Sequence, residues 1–229
     1  MSRQPTRTVH WCEASVDALA GWDDQFARWL HANEQARAAR FHREVDARRH
    51  RRAHGLLRGL LGRAIGADPA ALSFVDAPGG KPALWPPSPW RFNLSHAGDR
   101  VLVAWAWDIE VGADIEQVRP GIGREGLGER FFHPLEAAAV QASSSPDDTF
   151  ITLWSRKEAV LKAWGDGLAV DLHRFEVASP AGHGTVTAPP DTAAARHAWW
   201  WCDLGVAGPY RAAVAGDGLP ATLQHSAWP

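Results

Sequence analysis

Strand-like and helix-like runs alternate along the 229 residues without a regular β-α-β rhythm, which points to an α+β fold. Leu56, Leu57, Leu60, Leu61, Ala64 and Ile65 recur at helical spacing and bury one face of a helix. Helices are expected over residues 15–32, with Ser15 as cap, from Asn33 through Arg63, over 135–142, and over 150–164, where Gly165 and Gly167 supply stop signals. Strands are expected over 8–13, 72–75, 91–94, 101–107, 111–116, 175–178, 197–204 and 210–215. Pro78-Gly79-Gly80-Lys81-Pro82 reads as a turn with a lysine at its tip, and Ser95-His96-Ala97-Gly98 as the connection between two strands. Residues 86–89, 121–128, 143–148 and 179–195 read as loops.

Composition narrows the class. Apolar residues make up 45% and charged residues 22%, ordinary values for a globular chain, and the net charge of −2 is not that of a polyanion binder. Cys12 and Cys202 are the only cysteines and lie far apart, so neither a disulfide framework nor a zinc spacing is expected. No apolar signal segment begins the chain and no run is long enough to span a bilayer, so a cytoplasmic protein is expected. Most of the thirteen tryptophans are assigned to the core, Trp199-Trp200-Trp201 among them.

Three segments carry possible chemistry. In Val111-Gly112-Ala113-Asp114-Ile115-Glu116 the two carboxylates are two residues apart on a strand, hence on one face, with Ile115 turned to the core. Such a pair repels itself unless a cation sits between its members, and hard oxygen donors suit Mg²⁺. The competing reading is two solvated acids on an exposed face. In Trp154-Ser155-Arg156-Lys157-Glu158-Ala159-Val160-Leu161-Lys162, Glu158 and Lys162 share one helix face. They are either a metal ligand or base beside a phosphate-neutralising cation, or a surface ion pair worth about 0.3–0.5 kcal/mol. In Phe92-Asn93-Leu94-Ser95-His96 the Ser-His dipeptide either binds a phosphate or belongs to a hydrolase. Adjacent strand residues point apart, and no G-x-S-x-G elbow surrounds Ser95, so the hydrolase reading is the weaker.

Taken in order, F-N-L-S-H, V-G-A-D-I-E and the block FITLWSRKEAVLKAWGDGL at 150–168 resemble the Sfp-type phosphopantetheinyl transferases. Gly80-Lys81-Pro82, Phe131-Phe132-His133-Pro134-Leu135-Glu136 and Asp46-Ala47-Arg48-Arg49 resemble further blocks of that family, so the resemblance spans roughly 37–168. It implies two similar α+β halves about a pseudo-twofold axis in a monomeric chain, here residues 1–108 and 109–229, with coenzyme A in the cleft between them. It implies Mg²⁺-dependent transfer of the 4′-phosphopantetheine moiety of coenzyme A to a serine of an apo acyl or peptidyl carrier protein, with release of adenosine 3′,5′-bisphosphate. By position, Asp114, Glu116 and Glu158 resemble the Mg²⁺ ligands, and Glu158 is also the candidate base. Lys162 resembles the lysine on the pyrophosphate, Ser95 and His96 resemble phosphate contacts, and Lys81 and Arg49 resemble residues at the nucleotide end. Glu136 is expected near the site. Ala113 and Trp164 depart from the family pattern and touch no catalytic position.

Two other classes remain in view. A non-catalytic coenzyme A-binding module would be expected to lack one of Asp114, Glu116, Glu158 or Lys162, and all four are present. Nine arginines within 37–63 form a basic footprint, but Glu44 and Asp46 interrupt it and no aromatic stacking platform accompanies it, so no nucleic-acid partner is expected. A solvated helix face with one or two phosphate contacts to coenzyme A is the cheaper reading, and the same arginines are a hypothesis for steering an acidic carrier protein.

Overall fold

The computed structural model describes residues 7–77, 79–165 and 170–229; Pro78, Gly167 and the end of the 150–168 block lie outside the described residues. Strand β1 (Thr8–Ser15) lies beside β5 (Arg100–Trp107), which pairs in turn with β4 (Trp90–Ala97), all antiparallel. The last strand, β10 (Thr222–His225), returns to this sheet and pairs parallel with β1. A second antiparallel sheet has the order β6 (Val111–Gln117), β9 (Tyr210–Asp217), β8 (Trp199–Leu204), β7 (His183–Val186). A separate hairpin, β2 (Ser73–Asp76) with β3 (Pro82–Trp85), turns at Gly79 and Gly80, whose φ angles of 90° and 82° suit glycine.

Side-chain alternation stacks these sheets. On β5, Val101, Val103 and Trp105 face a core with Leu56, Leu57, Leu60 and Leu61 of helix α3 (Glu44–Ile65), while Leu102, Ala104 and Ala106 point the other way. There they meet Val111, Ala113 and Ile115 of β6, Ala212 and Val214 of β9, and Trp200. The far face of the second sheet carries Ala213, Ala215, Trp199 and Trp201, packed against Phe150, Leu153, Val160 and Leu161 of helix α6 (Pro146–Trp164). The order of layers is therefore helix, sheet, sheet, helix. Trp199, Trp200 and Trp201 are all buried, as expected, and serve two different layers.

Several expectations needed correction. Residues 15–32 do not form one helix: a 3₁₀ turn at Ala18–Trp22 precedes α1 (Asp23–Trp29), and extended Leu30 and His31 separate it from α2 (Ala32–Ala38). Ser15 caps only the first turn, accepting from the backbone N–H groups of Asp17 and Ala18 at 3.2 and 3.4 Å. The helical run from Asn33 is likewise interrupted at 39–43 before α3. Ser95 and His96 lie within β4, because Gly98 (φ 52°) makes the turn. Residues 175–178 join no strand, and Val177 donates its N–H to the Glu136 carboxylate instead, at 2.7 Å. The expected loops hid β7, the start of the short helix α4 (Leu127–Phe131) and the first turn of α6, which begins at Pro146 rather than at 150; β3 lies between the expected 78–82 turn and 86–89 loop, and α5 (Pro134–Ala142) falls where periodicity put it.

Candidate active site

Asp114 and Glu116 project from β6 toward α6, and Ile115 is fully buried on the opposite face. What brings α6 this close is Gly112: a Cβ there would lie 2.0 Å from the Ala159 carbonyl and 2.3 Å from the Ala163 amide. The helix backbone therefore rests directly on the strand. Glu158 and Lys162, four residues apart, then stand over the two strand carboxylates.

β4 approaches from the other sheet. As β6 is an edge strand, its outer backbone groups need partners. Asn93 Oδ1 accepts the N–H of Ala113 at 3.0 Å and so pins the two sheet edges together. Asparagine is uncommon in strands, and that was the signal available for it. Two residues on, Ser95 donates to Asp114 Oδ1 at 2.8 Å. Lys162 Nζ donates to the same oxygen at 2.5 Å and to Ser95 Oγ at 3.1 Å. Asp114 is 2% exposed, and its second oxygen, Oδ2, is buried with no hydrogen-bond partner among the described residues.

The electrostatics follow from that crowding. Burial first, then the neighbouring Asp114 charge and the more distant Glu158, raise the Glu116 carboxyl to about 7 against the pull of Lys162 and Arg119. Burial and Asp114 raise Glu158 as well, opposed by Lys162. Three carboxylates thus share one lysine. Among the described residues no closed cluster of His, Cys, Asp or Glu ligands is already assembled. The orphaned Asp114 oxygen and the two strained acids nevertheless fit a hard cation that completes its shell with other oxygens.

Two cavities adjoin this centre. One of about 310 Å³ lies between the 79–82 turn and α6, lined by Lys81, Asn93, Leu94, Glu158, Leu161 and Lys162 among others. The other, about 520 Å³, shares Asn93 and Leu94 and is lined by Arg37, His50, His54, Arg58, Phe74 and His96. His96 points to this second cavity because it alternates with Ser95 along β4, so the dipeptide serves two faces. Partial burial, then the charges of Arg49, His54 and Lys162, hold the His96 pKa below the usual histidine range. Arg49 is held by Asp46 at 3.1 Å. Lys81 rims the first cavity, but its ammonium already donates to Glu110 Oε2 at 2.9 Å and to the Ala163 carbonyl at 3.2 Å.

Glu136 is not beside these groups. It is fully buried with Lys157 in the core of the second sheet, 2.7 Å from the ammonium. Lys157 also donates to the carbonyls of Leu172 and Phe175 at 2.8 and 2.5 Å. The pair anchors the segment that follows the helix. Sequence reading missed Asn93, Gly112, His50 and His54 as separate contributors.

Comparison with known proteins identifies the family. Residues 110–215 match the 4′-phosphopantetheinyl transferase superfamily, and residues 20–107 match the 4′-phosphopantetheinyl transferase N-terminal family. The chain is 36% identical over 177 residues to the 4′-phosphopantetheinyl transferase HetI of Nostoc sp., covering 74% of this chain and 73% of that protein. It is 34% identical over 174 residues to a 4′-phosphopantetheinyl transferase of Bacillus subtilis, covering 74% and 76%. With the 4′-phosphopantetheinyl transferase Sfp of Bacillus subtilis strain 168 it shares 30% identity, covering 68% and 69%. The chain therefore belongs to the 4′-phosphopantetheinyl transferase superfamily and is an enzyme of that class.

Proposed function

We propose that this enzyme transfers the 4′-phosphopantetheine moiety of coenzyme A to a serine hydroxyl of an apo carrier protein, at a Mg²⁺ site formed by Asp114, Glu116 and Glu158. The observation that carries the metal assignment is the buried Asp114 Oδ2, which has no partner among the described residues and is set among two carboxyls whose pKa values are raised. Mg²⁺ takes one or two protein carboxylates and fills its remaining positions with phosphate oxygens and water, so a partly assembled carboxylate set suits a substrate-completed site. When bound, the metal supplies charge neutralisation for the pyrophosphate.

The chain's own groups do the rest. Lys162, held at Ser95 and Asp114, offers a fixed positive charge where negative charge accumulates on the departing phosphate. The raised pKa of Glu158 moves it toward the range of a base that accepts the carrier serine proton. The serine oxygen attacks the phosphorus that bears pantetheine, the pyrophosphate P–O bond breaks, and adenosine 3′,5′-bisphosphate leaves. In this reading His96, which lines the larger cavity, Arg49, whose charge acts on His96, and Lys81 at the rim of the smaller cavity bind the nucleotide end. The cleft lies between residues 1–108 and 109–229 in this reading, and the chain acts as a monomer in the cytoplasm.

The test is direct. The protein is incubated with coenzyme A, Mg²⁺ and purified apo carriers of several types, and the carriers are weighed by mass spectrometry, with EDTA and Glu158→Ala as controls. A phosphopantetheine mass gain that disappears in both controls supports the reaction and its metal site. No gain on any carrier, together with no coenzyme A binding, would overturn the reading.

A further inference from the structure

Glu110 sits in the short link between β5 and β6, where the chain passes from one sheet to the other. Its backbone is fixed from both sides. Its N–H donates to Asp217 Oδ1 at 2.9 Å, and its carbonyl accepts the Asp217 N–H at 3.3 Å. Its carboxylate then divides. Oε1 accepts from Arg91 Nε at the start of β4 at 2.6 Å, and Oε2 accepts from Lys81 Nζ at 2.9 Å. Lys81 passes the connection on to the Ala163 carbonyl at 3.2 Å.

That last contact falls on a particular place. A helix ends with carbonyls that have no partner within the helix, and a cation there satisfies one of them and favours the local dipole. Ala163 is in the final turn of α6, one residue after Lys162 and two before Gly165, which closes the helix at φ 78°. Lys81 therefore caps the turn that carries Lys162. Its stem also packs near Gly165, 3.6 Å from where a Cβ would stand. The Lys81 side chain is only 13% exposed. A mostly buried ammonium that lost its carboxylate would be left uncompensated, which separates this pair from solvated surface pairs.

We infer that Glu110 is a positioning residue for the transfer reaction: through Lys81 it holds the last turn of α6, and with it Lys162, against the 79–82 turn. The inference rests on the proposed function for its kinetic consequence, but not for its mechanical one. Neither Glu110 nor Arg91 lies in the motifs that carry the family resemblance. Lys81 has three donors and spends two on protein, so its first duty is to the helix end.

The experiment uses the full chain with Glu110→Gln, Glu110→Asp, Lys81→Met and the Lys81→Met/Glu110→Gln double variant. Hydrogen–deuterium exchange of the apo protein is read over the peptide containing 161–165, and transfer kinetics are read at saturating carrier. Glu110→Gln should speed exchange at 161–165 while the middle of α6 stays protected, and kcat should fall by about tenfold with KM for coenzyme A little changed, less than the roughly hundredfold that a full ångström of misplacement costs. Glu110→Asp should recover most of kcat, since it keeps the charge. The double variant should be no slower than the slower single variant, because both remove the same connection. Unchanged exchange at 161–165 in Glu110→Gln overturns the inference whatever the kinetics show. Additive losses in the double variant, or a loss confined to KM for coenzyme A, overturn the positioning role. Faster exchange beside a wild-type protein that modifies no carrier refutes the proposed function and the kinetic half of the inference, and leaves the brace on α6 standing.

Discussion

Lys162 Nζ lies 2.5 Å from Asp114 Oδ1, on a lysine that is about one-third exposed and an aspartate that is almost wholly buried. The contact joins helix α6, which covers the second sheet, to that sheet's edge strand, and Ser95 of the other sheet completes it at 3.1 Å. Three elements from distant parts of the chain thus fix one cation. Lys162→Met is expected to lower kcat by about a hundredfold or more, the scale of losing one preorganised charge at a transition state, with the fold retained by circular dichroism. Steady-state transfer within twofold of wild type would remove Lys162 from the chemistry.

The same carboxylate cluster predicts a metal-linked stability. Mg²⁺ that binds only the native state stabilises it by about 2.7 kcal/mol at a hundred times its Kd. For a chain of this size that is a rise of roughly 5–10 °C in Tm. Asp114→Asn and Glu158→Gln should each abolish most of the rise. Differential scanning fluorimetry with Mg²⁺ and with EDTA measures it, and an equal rise in wild type and both variants would place the ion elsewhere.

Gly112 sets how closely α6 can approach. Gly112→Ala puts a methyl carbon 2.0 Å from the Ala159 carbonyl, a backbone atom that cannot swing aside. The helix must lift, at about 1–3 kcal/mol for overpacking, and Glu158 and Lys162 lift with it. Activity should therefore fall further than stability. A variant with wild-type kcat and a lowered Tm would show that the site tolerates the shift.

Much of this site was legible because its residues sit on regular elements. The spacing of Asp114 and Glu116 implies one strand face, and that of Glu158 and Lys162 one helix face, and both held in the structure. What periodicity does not carry is contact between segments. Asn93 meets Ala113 twenty residues away across two sheet edges, and Lys81 meets Ala163 across eighty-two. Glu136 shows the opposite error. Its place in a family-like block associated it with the site, whereas its partner Lys157 lies one residue from Glu158 and, on a helix, faces another way. The four-residue strands β3, β7 and β10 were hard to read for a different reason, since so few residues give little alternation to detect.

Glu34 predicts acid sensitivity in the first layer. Burial pushes its carboxyl up, but hydrogen bonds from His54, Arg58 and the His31 N–H, with the Arg58 charge, bring it to about 2, below its ordinary 4.5. The unfolded chain therefore binds the proton more readily than the folded one. The stabilisation is present in full above the ordinary value and drains away as pH falls from there toward about 2. Urea midpoints measured between neutral pH and strong acid should decline more steeply for wild type than for Glu34→Gln. Parallel curves would mean that Glu34 is not a principal acid-labile group.

The Glu136–Lys157 pair predicts the largest loss from a near-isosteric change. Both side chains are fully buried, and the ammonium also serves the Leu172 and Phe175 carbonyls. Burial alone lowers the Lys157 pKa, and the Glu136 charge is the main opposing influence. Glu136→Gln keeps the volume and one acceptor for the Val177 N–H, but removes the charge. It should cost about 3–5 kcal/mol, as an unpaired buried cation does. Glu136→Gln combined with Lys157→Met should recover part of that loss, since the double change leaves no charge to solvate. Chemical denaturation of the two variants decides the matter. If the single variant loses less than the double, the pair holds the segment by shape and hydrogen bonding, and charge is secondary.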